Sequence, residues 1–172
     1  MSEAGSVDRW LGRLCRVSAL AGGAVLLAMA GMTVLSVTGR SLTGTPVPGD
    51  FELVEVGTAV AVFLCLPLAQ WRRSHATVDV LAGHFPAGVR RGVQVVSDLL
   101  LAGIGALLVW RMSLGGLEMA ASGETTMVLA MPRWWAFPVI VPAAALLTAV
   151  ALRTAVLGEP EPEPDAPGRE AG

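Results

Sequence analysis

The sequence predicts an all-α integral membrane protein of four transmembrane helices, with both termini cytoplasmic and a disordered, acidic, proline-rich C-terminal tail. Three observations predict it. The chain of 172 residues is 53% hydrophobic and only 15% charged, with a mean hydropathy of +0.63, too apolar for an ordinary soluble domain. Four runs each supply the roughly 20 mostly apolar residues that a helix needs to cross about 30 Å of hydrocarbon at about 1.5 Å per residue. Arginines and tryptophans collect at the flanks of those runs.

The first span is expected at about 17–39. Arg9, Arg13 and Arg16 precede it and Arg40 ends it. Its uncharged stretch is longer than the roughly 7 to 15 residues of a signal-peptide core and no A-x-A site follows, so it reads as a retained signal anchor. A turn-rich connection, TGTPVPG, leads to a second span at about 53–71, closed by Arg72 and Arg73. A loop containing VDVLAGHF, readable as a short interfacial helix, joins it to a third span at about 92–110. The stretch after that span, MSLGGLEMAASGETT, reads either as a surface helix or as an extension of the span. Pro132 opens the fourth span, about 134–152, at a position where a missing N–H costs nothing. The expected organisation is one four-helix domain over 1–157 and a tail over 158–172 that lacks the apolar residues to pack.

Orientation follows from arginine, the only basic residue among the 12. With the N-terminus inside, Arg9, Arg13, Arg16, Arg72, Arg73, Arg90, Arg91, Arg153 and Arg169 are cytoplasmic, against Arg40, Arg111 and Arg133 outside. Trp10, Trp71, Trp110, Trp134 and Trp135 flank the spans, where an indole keeps its body in acyl chains and its N–H among headgroups.

Ionisable groups at membrane depth are few. Glu52 and Glu55 lie three apart at the start of the second span, on one helix face. They suit the positive end of the helix dipole, and also suit pairing with Arg40 or with a partner protein. Asp98, two turns into the third span, is expected to pair with Arg16, Arg72 or Arg73. His75 and His84 lie in a loop and so cannot hold a haem between spans. Cys15 and Cys65 have no metal-ligand or redox spacing and read as apolar filler. No nucleophile, nucleotide or metalloprotease motif appears, and no basic patch suited to nucleic acid. The expectation is a non-enzyme without cofactors, in contact with membrane lipid.

Several short stretches, in order, resemble the DctQ-like small membrane subunit of tripartite ATP-independent periplasmic (TRAP) transporters, over about 9–157. They are VTGRSLTG with Arg40, PGDFELVEV with Glu52 and Glu55, RRSHATVDVL with His75, Val78 and Asp79, and TTMVLAMPRW with Pro132 and Trp134. Ala76 stands where the family pattern has Ile, and Phe51 where many relatives have Trp. The resemblance implies a scaffold subunit in a bacterial inner membrane, paired with a large permease that holds substrate and ion sites. A periplasmic solute-binding protein delivers the solute, and an ion gradient drives uptake of an organic acid or similar compound. It also implies that Arg40, Glu52 and Glu55 organise the outer face, and that His75 and Asp79 fix the cytoplasmic loop. Two other readings differ in class. A self-assembling channel or transporter would pack through Gly22, Gly23, Gly31, Gly103 and Gly105. A four-helix redox enzyme would need outer cysteine pairs or intramembrane histidines, which the sequence lacks.

Overall fold

The computed structural model describes residues 2–44, 47–72 and 87–157. Within them the secondary structure is helical apart from one isolated bridge between Thr125 and Pro132. Helix α1 runs Ser2–Thr43, α2 Asp50–Trp71, α3 Ala87–Ser122 and α4 Phe137–Leu157, with a 3-10 turn at Arg133–Ala136 leading into α4. All four are long and apolar enough to cross a membrane. The loop over 73–86, with His75, His84, Asp79 and the VDVLAGHF stretch, and the tail over 158–172 lie outside the described residues.

Polar residues are too few on these helices to make one wet and one dry face, so packing is decided by where backbones approach closely. In lipid, where no hydrophobic force separates helix from helix, small residues set the contacts. The packing order is α1–α2–α4–α3: α2 lies between α1 and α4, and α3 packs along α4. Between α1 and α2 backbone comes close to backbone at Gly22, where a β-carbon would stand 2.8 Å from Cys65 Sγ and 3.0 Å from the Ala61 carbonyl. Gly57 faces Met29 along the same seam, and Gly12 lies against the Trp71 ring. Between α3 and α4, Gly105 receives Thr148 and Gly116 receives Phe137. The core is therefore thin, and its buried apolar residues are mostly on α4: Ile140, Ala143, Ala144, Leu147, Val150 and Ala151.

The stretch after the third expected span takes the second of its two readings and continues α3 to Ser122. Pro132 stands just before the 3-10 turn rather than in α4. Pro67 in α2 and Pro142 in α4 lie in helix interiors, while Pro138 stands in the first turn of α4, where its missing N–H costs nothing. Pro67 is buried, and Ser18 of α1 donates its hydroxyl to the Leu64 carbonyl at 2.7 Å in the turn that the proline disturbs.

Candidate functional site

The candidate residues separate into two polar clusters, one at each end of the helices. At the end that carries Arg40, the short link from α1 to α2 is drawn tight by one serine. Buried Ser36 donates to Asp50 Oδ2 at 2.6 Å and accepts the Val47 N–H at 3.2 Å, while Asp50 Oδ1 accepts the Phe51 N–H at 2.8 Å. Asp50 thus occupies its own helix N-terminus, where a negative charge meets unsatisfied N–H groups.

Two residues on, about half a helical turn, Glu52 reaches toward the α3–α4 connection instead. Its two carboxylate oxygens accept the backbone N–H groups of Val128 at 2.8 Å and Leu129 at 3.0 Å, from the tip of the α3–α4 connection. That connection is itself a closed turn. Thr126 donates its N–H to the Met131 carbonyl at 2.9 Å, the Met131 N–H is given to Thr126 Oγ1 at 3.1 Å, and Arg133 donates to the Glu124 carbonyl at 3.1 Å. Ala130 takes a φ of 52° to complete it. The Leu129 side chain rests on Gly49, whose φ of 74° and lack of a β-carbon both suit this contact. Glu52 and Leu129 together fasten the second helical hairpin to the first, leaving Met127 fully exposed and Val128 largely so.

Arg40 and Glu55 are placed differently. Both side chains are exposed, and neither forms an ion pair or side-chain hydrogen bond with a described residue. Glu52 is thus tied to the loop backbone, Arg40 and Glu55 face outward, and the structure brings none of the three together. His75 and Asp79 fall outside the described residues.

At the opposite end, Gln70 in the last turn of α2 donates to Asp98 Oδ1 of α3 at 2.8 Å and lies 3.5 Å from Thr154 Oγ1 of α4. All three residues are buried. Thr154 turns its own hydroxyl back to the carbonyls of Val150 and Ala151. Beside this knot, Arg153 grips Asp8 of α1 through two bonds, Nε to Oδ1 at 2.9 Å and Nη2 to Oδ2 at 2.6 Å, and its guanidinium lies 5.3 Å from the centre of the Trp71 ring. This pair brings the N-terminal helix and the C-terminal helix to the same end.

Sequence reasoning expected an arginine beside Asp98 and did not foresee that Gln70 bonds to it. A glutamine at the last turn of an apolar helix was the available signal. Asp8 was also missed, because nothing local points across 145 residues to Arg153. Among the described residues no group of three or more His, Cys, Asp or Glu side chains gathers as metal ligands would.

A family model described as "Tripartite ATP-independent periplasmic transporters, DctQ component" matches residues 29–159, most of the chain. The matched region takes in Arg40, the Glu52 latch and the Gln70–Asp98–Thr154 knot, but not Asp8. No curated protein and no solved structure matches the chain.

Proposed function

We propose a scaffold role from a fixed premise: the chain belongs to the DctQ-component family of tripartite ATP-independent periplasmic transporters. It is a small membrane subunit of such a transporter, multi-pass and without a catalytic assignment in its family. In the reading we favour, it works beside a large permease subunit and a periplasmic solute-binding protein, in the bacterial inner membrane, during ion-gradient-driven uptake of an organic acid or similar solute. It holds position while the permease carries the solute and ion sites.

The observation that carries this reading is the distribution of polar groups. Among the described residues, the buried polar side chains are Ser36, Gln70, Asp98 and Thr154, which gather level with the two ends of α2, and between those levels no carboxylate or histidine is buried. A helix bundle that moved an ion itself would need carboxylates, histidines or unwound backbone at mid-depth. These helices are instead closed by glycine contacts and tied at both ends by bonds between helices, as a static support requires. The arginine bias supports the Asp8 and Arg153 end as cytoplasmic and the Arg40 end as periplasmic. Arg40 and Glu55, exposed at the latter end, are then available to another protein.

Deleting the chain while retaining the permease and binding protein tests the role. Uptake of the solute that the binding protein recognises should fall at least about tenfold, and liposomes containing this chain alone should show no uptake. Undiminished uptake without the chain, or transport by the chain alone, would overturn the scaffold reading, and the latter would favour a self-assembled transporter.

A further inference from the structure

Three arginines at the Asp8 and Arg153 end are left over by the bundle. Arg13 of α1, Arg72 at the end of α2 and Arg91 of α3 are exposed, and none forms an ion pair or side-chain hydrogen bond with a described residue. The packing sets their levels. Gly12 lies against the Trp71 ring, so Arg13 and Arg72 stand within a turn of one another in height on neighbouring helices. Asp98 is level with Gln70, so Arg91, seven residues earlier in α3, lies about 10 Å beyond that level at about 1.5 Å per residue. Thr154 shares the Gln70 level, and α4 continues past it only to Leu157. Because α4 packs between α2 and α3, the chain that follows Leu157 leaves with Arg72 on one side and Arg91 on the other.

Depth bears on what these arginines meet. From Asp50 to Gln70, α2 rises about 30 Å, the thickness of the hydrocarbon, and headgroups add roughly 5–7 Å on each side. Arg91 lies beyond that layer. Cα–Cβ bonds tilt toward a helix's N-terminus, which aims Arg13 and Arg91 further from the acyl chains. A lipid phosphate suits Arg72 but does not reach Arg91.

The chain carries an anion that starts at this spot. Residues 158–172 hold Glu159, Glu161, Glu163, Asp165 and Glu170 against a single basic residue, Arg169. Over 159–165 acids alternate with prolines, and a proline keeps the residue before it out of the helical region. At an extended rise of about 3.1 Å per residue, successive carboxylates come about 6 Å apart and the run covers about 19 Å. That matches two helix-to-helix distances of about 8–10 Å, enough to cross the ends of neighbouring helices.

We propose that the acidic segment 159–165 docks on Arg13, Arg72 and Arg91 of its own chain. Each exposed pair is weak alone and screened by salt, but four carboxylates attached to α4 meet the three guanidinium groups at high local concentration. The contact ties the end of α4 to α1, α2 and α3, continuing outward the tie that Arg153 makes with Asp8. It also withholds three arginines from anionic lipid and from other chains.

The test uses the whole chain in its native membranes. A photoreactive amino acid at Pro162 should crosslink within the chain, to peptides containing Arg72 or Arg91. Glu159→Gln, Glu161→Gln, Glu163→Gln and Asp165→Asn together should lower that yield about tenfold, as should about 1 M salt, where screening acts over about 3 Å. Arg72→Gln with Arg91→Gln should lower it as far, and Arg111→Gln, at the other end of α3, should leave it unchanged. Arg91→Glu combined with Glu161→Arg and Glu163→Arg should restore part of it. Crosslinks to lipid alone or to another protein, or a yield indifferent to the charges of 159–165, would overturn the proposal.

Discussion

Gly22 and Gly23 are adjacent on α1, and the structure gives them opposite fates. A β-carbon at Gly22 would lie 2.8 Å from Cys65 Sγ, 3.0 Å from the Ala61 carbonyl oxygen and 3.1 Å from Leu64 Cβ, whereas at Gly23 it meets nothing within 4 Å. Replacing a helix-interior glycine by alanine gains up to about 1 kcal/mol of backbone propensity. At Gly23 that gain stands alone. At Gly22 the obstacle includes backbone oxygen, which cannot rotate away, so α1 and α2 must separate, and overpacking of this kind costs about 1–3 kcal/mol. Gly22→Ala should therefore be destabilised relative to Gly23→Ala by about 1–3 kcal/mol, roughly a five- to 150-fold change in the unfolding equilibrium. Gly22→Ala with Cys65→Ala should recover only part of this, because the Ala61 carbonyl remains. Reversible unfolding in mixed micelles by denaturing detergent, followed by tryptophan fluorescence from Trp71 beside Gly12, measures the difference. Equal midpoints for the two single variants would refute the claim that Gly22 sets the α1–α2 seam.

Glu52→Ala removes the acceptor of the Val128 and Leu129 N–H groups, and hydrogen exchange at these two amides should accelerate at least about tenfold while amides in mid-α2 hold their protection. Gly49→Val should loosen the same turn by a second route, since valine resists a φ of 74° and its side chain would displace Leu129. Protease cleavage within 123–132 should then rise several-fold. For Asp8 and Arg153, exposed by 29% and 10% at their side chains, a double-mutant cycle with Asp8→Asn and Arg153→Gln should give a coupling energy of about 0.5–1 kcal/mol. A value near zero would remove the pair as a tie between α1 and α4.

The helices themselves were legible because the bilayer sets a minimum length and the runs around Leu27, Val62, Ile104 and Leu147 meet it with almost no charge. What the sequence did not disclose was how the helices pair. Uniformly apolar helices such as α2 and α4 carry no amphipathic stripe to orient them, and the glycines that touch a neighbour, Gly22 and Gly105, look the same in sequence as Gly23 and Gly103, which face open space. Glu52 illustrates a middle case. Its place at a helix start was readable and its value as an anion acceptor followed, but its donors are backbone amides 76 and 77 residues away, and backbone groups leave no mark in sequence. Gln70 and Asp98 are each conspicuous as polar residues in apolar helices, yet only the packing of α2, α3 and α4 shows that they answer one another.

Recovery of the tagged chain from its native membranes in mild detergent, with the co-purifying proteins identified and weighed intact, tests the central claim most directly. The account predicts a large multi-span permease in fixed ratio to this 17.8 kDa chain. Recovery of the chain alone, in multiples of its own mass, would contradict it.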